Sequence, residues 1–163
     1  MKYFNPTPKT CEELKKAYRE LAKANHPDAG GSTVTMQIIN NEYSALFDRL
    51  KDIHTNKDGE TYTASKKTTE TPEEFINIID RLIRFEGITI EIIGSFIWVS
   101  GNTREYKDQL KEMGFKWSSN KIVWYLAPEG YKKRNKQQFS MDTIRSMFGS
   151  EEVETNPYTK IAV

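Results

Sequence analysis

Pro27 follows an amphipathic run and precedes a glycine pair, and it constrains the first part of this chain more than any other residue. Leu14, Ala17, Tyr18, Leu21 and Ala22 recur at helical spacing and share one face. Thr10 is placed to cap that helix, with Glu12 and Glu13 at the positive end of its dipole. A proline pushes the residue before it out of the α region, so the helix has to stop at Asn25. Met36, Ile39, Tyr43, Leu46, Phe47 and Leu50 then repeat the apolar spacing, which predicts a second helix from about Thr33 to Lys51. The connection His26-Pro27-Asp28-Ala29-Gly30-Gly31-Ser32 is short, and a short connection between two helices predicts an antiparallel hairpin.

Thr55 to Thr71 reads TNKDGETYTASKKTTET, nearly free of apolar side chains. Such a stretch buries too little surface to offset its ordering entropy, so a flexible linker is expected over residues 55–70. It would separate a helical unit at 1–54 from a second unit at 71–149, and residues 150–163 read as a polar tail.

The second unit reads as a small α+β domain around a mainly antiparallel, four-stranded sheet. Thr71-Pro72-Glu73-Glu74 is a capping box with proline at the first helical position, and Phe75, Ile78, Ile79 and Leu82 follow on one face. Ile88 to Ile93 and Phe96 to Val99 flank Gly94-Ser95, a two-residue hairpin turn. Asn102 and Glu105 suggest another capping box, for a helix with Tyr106, Leu110 and Met113 inward. Phe115 to Trp117 and Ile122 to Leu126 make a second hairpin, and Ser140 is placed to cap a last helix carrying Ile144, Met147 and Phe148.

Composition narrows the function classes. The longest apolar stretch, Ile122 to Ala127, is far short of the roughly 20 residues of a spanning helix, so no membrane role is expected and the location is expected to be cytoplasmic. Cys11 is the only cysteine and His26 and His54 the only histidines, which excludes an intramolecular disulfide and a zinc finger. With 24 Lys and Arg against 23 Asp and Glu, any pull on nucleic acid has to be local. No Gly-rich phosphate loop, metal-ligand cluster or nucleophile-base motif stands out, so the chain is not expected to be an enzyme, and no catalytic residue, metal or cofactor is expected.

Lys15, Lys16, Arg19 and Lys23 form a positive stripe on the first helix, leading to the His-Pro-Asp turn. Taken alone, the stripe suits a solvated face as well as a docking surface. The run Leu14-Lys15-Lys16-Ala17-Tyr18-Arg19-Glu20-Leu21-Ala22, then His26-Pro27-Asp28, then Ile39-Asn40-Asn41-Glu42-Tyr43 resembles the J-domain (DnaJ-like) family of co-chaperones, over about residues 3–50. The resemblance implies a helical hairpin that docks on a DnaK-type heat-shock ATPase and stimulates its ATP hydrolysis. Lys15, Arg19 and Lys23 would meet an acidic patch there, while His26 and Asp28, in a turn stiffened by Pro27, would hydrogen-bond the partner, Asp28 through an arginine. The chain departs from the family in compressing the first helix into Tyr3-Phe4, in lacking a basic fourth helix, and in placing Glu20 within the stripe.

Leu110 to Tyr125, LKEMGFKWSSNKIVWY, resembles a segment of uncharacterised domains in phage and mobile-element proteins, some attached to DNA-processing enzymes. From Phe96 to Phe139 nine Lys and Arg face four Asp and Glu, with Lys132, Lys133, Arg134 and Lys136 the densest point. Such a loop beside exposed aromatics suits nucleic acid, an alternative function for the second unit, and equally suits a plain solvated surface. Strand alternation puts Trp98, Trp117 and Trp124 mainly in the core and leaves Tyr125 and Tyr131 the most exposable aromatics.

Overall fold

The structure, a computed structural model, describes residues 1–133 and 137–148, and the chain divides into two compact units, Met1–Arg84 and Phe85–Val163. Arg134, Lys136 and the tail expected at 150–163 lie outside the described residues.

In the first unit, α1 (Cys11–Asn25) starts at Thr10, whose hydroxyl accepts the Glu13 amide, and α2 (Thr33–Leu50) follows after the turn. The Tyr18 hydroxyl donates to Asn40 Oδ1 at 2.9 Å, and the Tyr18 and Tyr43 rings lie 4.5 Å apart. Side chains of the two helices thus meet, and the helices fold back on one another. The Glu42 carboxylate accepts the backbone N–H groups of Lys2, Tyr3 and Phe4, which pins the N-terminal chain and leaves Phe4 buried. Burial works to raise the Glu42 pKa, but those amides outweigh it and hold the carboxyl below its usual range. Cys11 is buried, and desolvation raises its thiol pKa to about 12 against the pull of Lys15.

The connection between the helices depends on both glycines. The His26 carbonyl accepts the N–H groups of Ala29 and Gly31, closing a single 3-10 turn over Pro27–Ala29. Gly30 takes φ +84° in open space, whereas a Cβ on Gly31 would stand 1.9 Å from the Asn25 carbonyl oxygen.

Part of the segment expected as a linker forms a hairpin, and the unit boundary falls later than composition suggests. β1 (Ile53–Thr55) pairs antiparallel with β2 (Thr61–Thr63) around a turn in which Asn56 Oδ1 accepts the amides of Asp58 and Glu60. Its outer side is polar, so low hydrophobicity is no bar: main-chain bonds and the anchor of His54 Nδ1 on Glu12, 2.6 Å away, fix it to α1. The chain then returns along Asp52, which takes the amides of Ala64 and Thr68.

α3 (Pro72–Ile83) has the expected capping box between Thr71 and Glu74. It belongs to the first unit, not to the second as its sequence position suggested, because Phe75 packs edge-on to Tyr18 (5.9 Å) and stacks on Tyr43 (5.6 Å). Phe75 is fully buried, a burial worth about 1.5–3 kcal/mol.

The second unit carries a four-stranded antiparallel sheet in the order β3 (Ile88–Ile93), β4 (Phe96–Gly101), β6 (Val123–Leu126), β5 (Lys116–Ser118). Between β4 and β5, the expected Asn102 capping box is replaced by a 3-10 turn over Arg104–Tyr106 leading into α4 (Lys107–Glu112), with Leu110 buried and Tyr106 stacked on Phe85. The short six-residue helix begins too late for Asn102 to reach its first amides. α5 (Met141–Phe148) follows Ser140, whose hydroxyl accepts the Thr143 amide. Met141 and Ile144 pack on Ile93, Trp98 and Val123, and Arg145 grips the buried Glu91 through both carboxylate oxygens at 2.8 and 2.9 Å.

The two glycines separate backbone freedom from close approach. Gly31→Ala is expected to cost on the order of 3 kcal/mol, since the backbone of Asn25 has to move, and Gly30→Ala about 1–2 kcal/mol for the left-handed backbone alone. Urea midpoints of the two variants check the order, and equal losses would contradict it.

Candidate partner-binding site

The residues singled out in the first unit do converge, and a second segment of the same unit meets them. Lys15 and Arg19 are each 6% exposed and His26 is 2% exposed, so three members of the expected docking set are buried. Pro27 and Asp28 remain exposed at the tip of the turn, and Lys23 is half-buried, its pKa lowered by burial and by Arg19. The expectation of an open positive stripe is therefore corrected. α1 is buried on two faces, one against α2 and one beneath the segment that ends in α3.

The polar contacts on this second face are specific. Lys15 Nζ donates to both carboxylate oxygens of Glu70 at 2.8 Å and sits 5.0 Å from the centre of the Phe75 ring. His26 Nδ1 accepts the Asp28 amide at 3.2 Å, and Nε2 lies 2.7 Å from Asp80 Oδ1. The tautomer satisfying both carries its proton on Nε2 and donates it to Asp80. Arg84 bridges the two acids: Nη2 reaches Asp80 Oδ2 at 3.1 Å and Nε reaches Asp28 Oδ2 at 3.4 Å. His26, Asp80, Arg84 and Asp28 thus close a polar ring in which only the imidazole is buried. The exposed Arg84 contacts are worth about 0–1 kcal/mol each. The His26 contact matters more, because a buried N–H without an acceptor costs about 1–3 kcal/mol.

Glu70, Asp80 and Arg84 were not singled out by sequence. Asp80 on α3 and Arg84 at its C-terminal cap stand one turn apart, the spacing of an ordinary helical ion pair, and no local signal says that they meet the His26-Pro27-Asp28 turn more than 50 residues earlier.

In the second unit Trp98 and Trp124 are buried as expected, but Trp117 is 46% exposed. It shares a row with Trp124, 5.4 Å away, yet lies on β5 at the end of the sheet, where one flank has no neighbouring strand among the described residues. Tyr125 is half-buried; Tyr131 is exposed and meets Phe96 edge-on at 4.9 Å. Lys116, Lys132 and Lys133 are exposed. Ile122, the non-glycine residue with positive φ (55°), is exposed in the β5–β6 turn.

Among the described residues no group of three His, Cys, Asp or Glu side chains is arranged to hold a metal ion, and no helix is long and apolar enough to cross a membrane. The chain matches no protein-family model, no curated protein and no solved structure.

Asp80→Ala strands the buried Nε2–H of His26 and is expected to destabilise the first unit by about 1–3 kcal/mol, whereas Arg84→Ala is expected to change stability by less than about 1 kcal/mol. Chemical denaturation of the two variants checks this, and equal effects would remove the distinction between the buried and exposed halves of the ring.

Proposed function

We propose that the unit Met1–Arg84 is a J-domain-like helical hairpin that docks on a DnaK-type heat-shock ATPase and stimulates its ATP hydrolysis, with the second unit as adaptor for a client or complex. The observation that carries this reading is the placement of Pro27 and Asp28 at an exposed tip between two helices that fold back on each other. The residues of the resemblance support it by their local roles. Asn40 holds the Tyr18 hydroxyl, Glu42 gathers the N-terminal amides, and Ile39 and Tyr43 are buried. Tyr3-Phe4, held by Glu42, stands where the family has a full first helix.

The module performs no chemistry of its own in this reading. Its role is to bind the hydrolysis-competent state of the ATPase better than the other state, which shifts the partner's equilibrium. The exposed Asp28 carboxylate offers a bidentate acceptor for an arginine of the partner. Lys15, Arg19 and His26 complete the docking set only when they are uncovered.

A second reading, favoured by the exposure of Trp117 and Tyr131 near Lys116, Lys132 and Lys133, has the second unit bind single-stranded nucleic acid by stacking and phosphate contact. The two readings are compatible in one chain, since tethered modules can deliver an ATPase to a nucleic-acid complex.

Single-turnover ATP hydrolysis by a bacterial DnaK is expected to accelerate with excess wild-type protein and not with Asp28→Asn. Equal rates with the two proteins would remove the co-chaperone reading. For the second reading, binding of a fluorescent single-stranded oligonucleotide is expected to weaken with salt and to fall about tenfold in Trp117→Ala, the loss of roughly one stacked base. An affinity indifferent to both would count against it.

A further inference from the structure

Resting on the co-chaperone reading, we infer that the segment from Glu70 to Arg84 is an internal competitor for the docking face, occupying the sites that the ATPase has to fill.

Three docking residues, Lys15, His26 and Asp28, are each matched by a group of that segment. The lysine meant for an acidic patch is held by the Glu70 carboxylate, and the aspartate meant for an arginine is met by Arg84. The imidazole is taken by Asp80. Phe75 completes the cover by lying under the Lys15 ammonium while packing on Tyr18 of the same helix. A surface satisfied in this way cannot make the same bonds to a second molecule at once.

The competitor is covalently tethered, and its leading end is tied down where Asp52 takes the amides of Ala64 and Thr68. Tethering gives it a high effective concentration, so the closed form predominates at rest. The apparent affinity of the ATPase is then the intrinsic affinity reduced by the fraction of molecules in which the face is open. Substitutions on the segment raise that fraction without touching a docking residue.

The test compares the full chain with the triple variant Glu70→Gln, Asp80→Asn, Arg84→Gln, in which the side chains keep their approximate shape. Each protein is titrated into DnaK-catalysed ATP hydrolysis, with and without Asp28→Asn in the same background. The triple variant is expected to reach half-maximal stimulation at about three- to tenfold lower concentration, the scale set by replacing charge-assisted contacts with neutral hydrogen bonds of similar shape. Wild-type stimulation with no gain in the triple variant would overturn the competitor and leave the co-chaperone reading intact. Rates insensitive to Asp28→Asn in both backgrounds would overturn both. Should the triple variant unfold, hydrogen exchange of the wild-type chain decides. Exchange at the amides of residues 73–83 is expected to rise on adding ATP-bound DnaK, and unchanged or slower exchange would overturn the competitor.

Discussion

The packing of Phe75 on Tyr18 and Tyr43 is the contact on which the first unit depends. Three aromatic rings from three helices meet there, none with appreciable exposure, so none of the helices keeps its apolar face dry without the others. Once the Phe75 ring is seated, the rest of α3 has to run across the second face of α1. That path brings Asp80 to His26 and Arg84 to Asp28, and it draws Glu70 over Lys15.

These polar contacts differ in weight. The Lys15–Glu70 and His26–Asp80 contacts each involve a side chain that is almost fully buried, where an unmatched group is costly. The Arg84 contacts stand in water and contribute little to stability, but they select which charges lie beside the turn. The second unit uses the same device, with Glu91 buried in the sheet and held by Arg145 from α5. In both units an apolar contact sets the approach of a helix and a charge pair sets its register.

Much of the local structure was readable from the chain. The ends of α1 and α2, the Thr71 capping box, the Gly94-Ser95 turn and the Ser140 cap each follow from side chains a few residues apart, and the structure has them there. Three failures share a cause. Composition makes residues 55–70 look like a linker because it measures what a segment can bury, not main-chain bonds or the His54–Glu12 anchor. Sequence position puts α3 with the second unit because nothing in a capping box or an apolar stripe says which surface the stripe will meet. Alternation puts Trp117 in the core because it identifies the face of a strand but not whether that strand lies at the end of its sheet.

What the sequence alone determined is a pair of helices broken at Pro27, a short connection between them, and two hairpins closing a four-stranded sheet. These are short-range matters of backbone sterics, capping and periodicity. Only the tertiary structure decided that the cationic face of α1 is covered, that the His26 imidazole points inward to Asp80, and that residues 55–84 belong with the hairpin before them. Those outcomes come from contacts between groups about 50 residues apart in sequence, and a contact of that range is set by which apolar surfaces find each other, not by the spacing of residues along the chain.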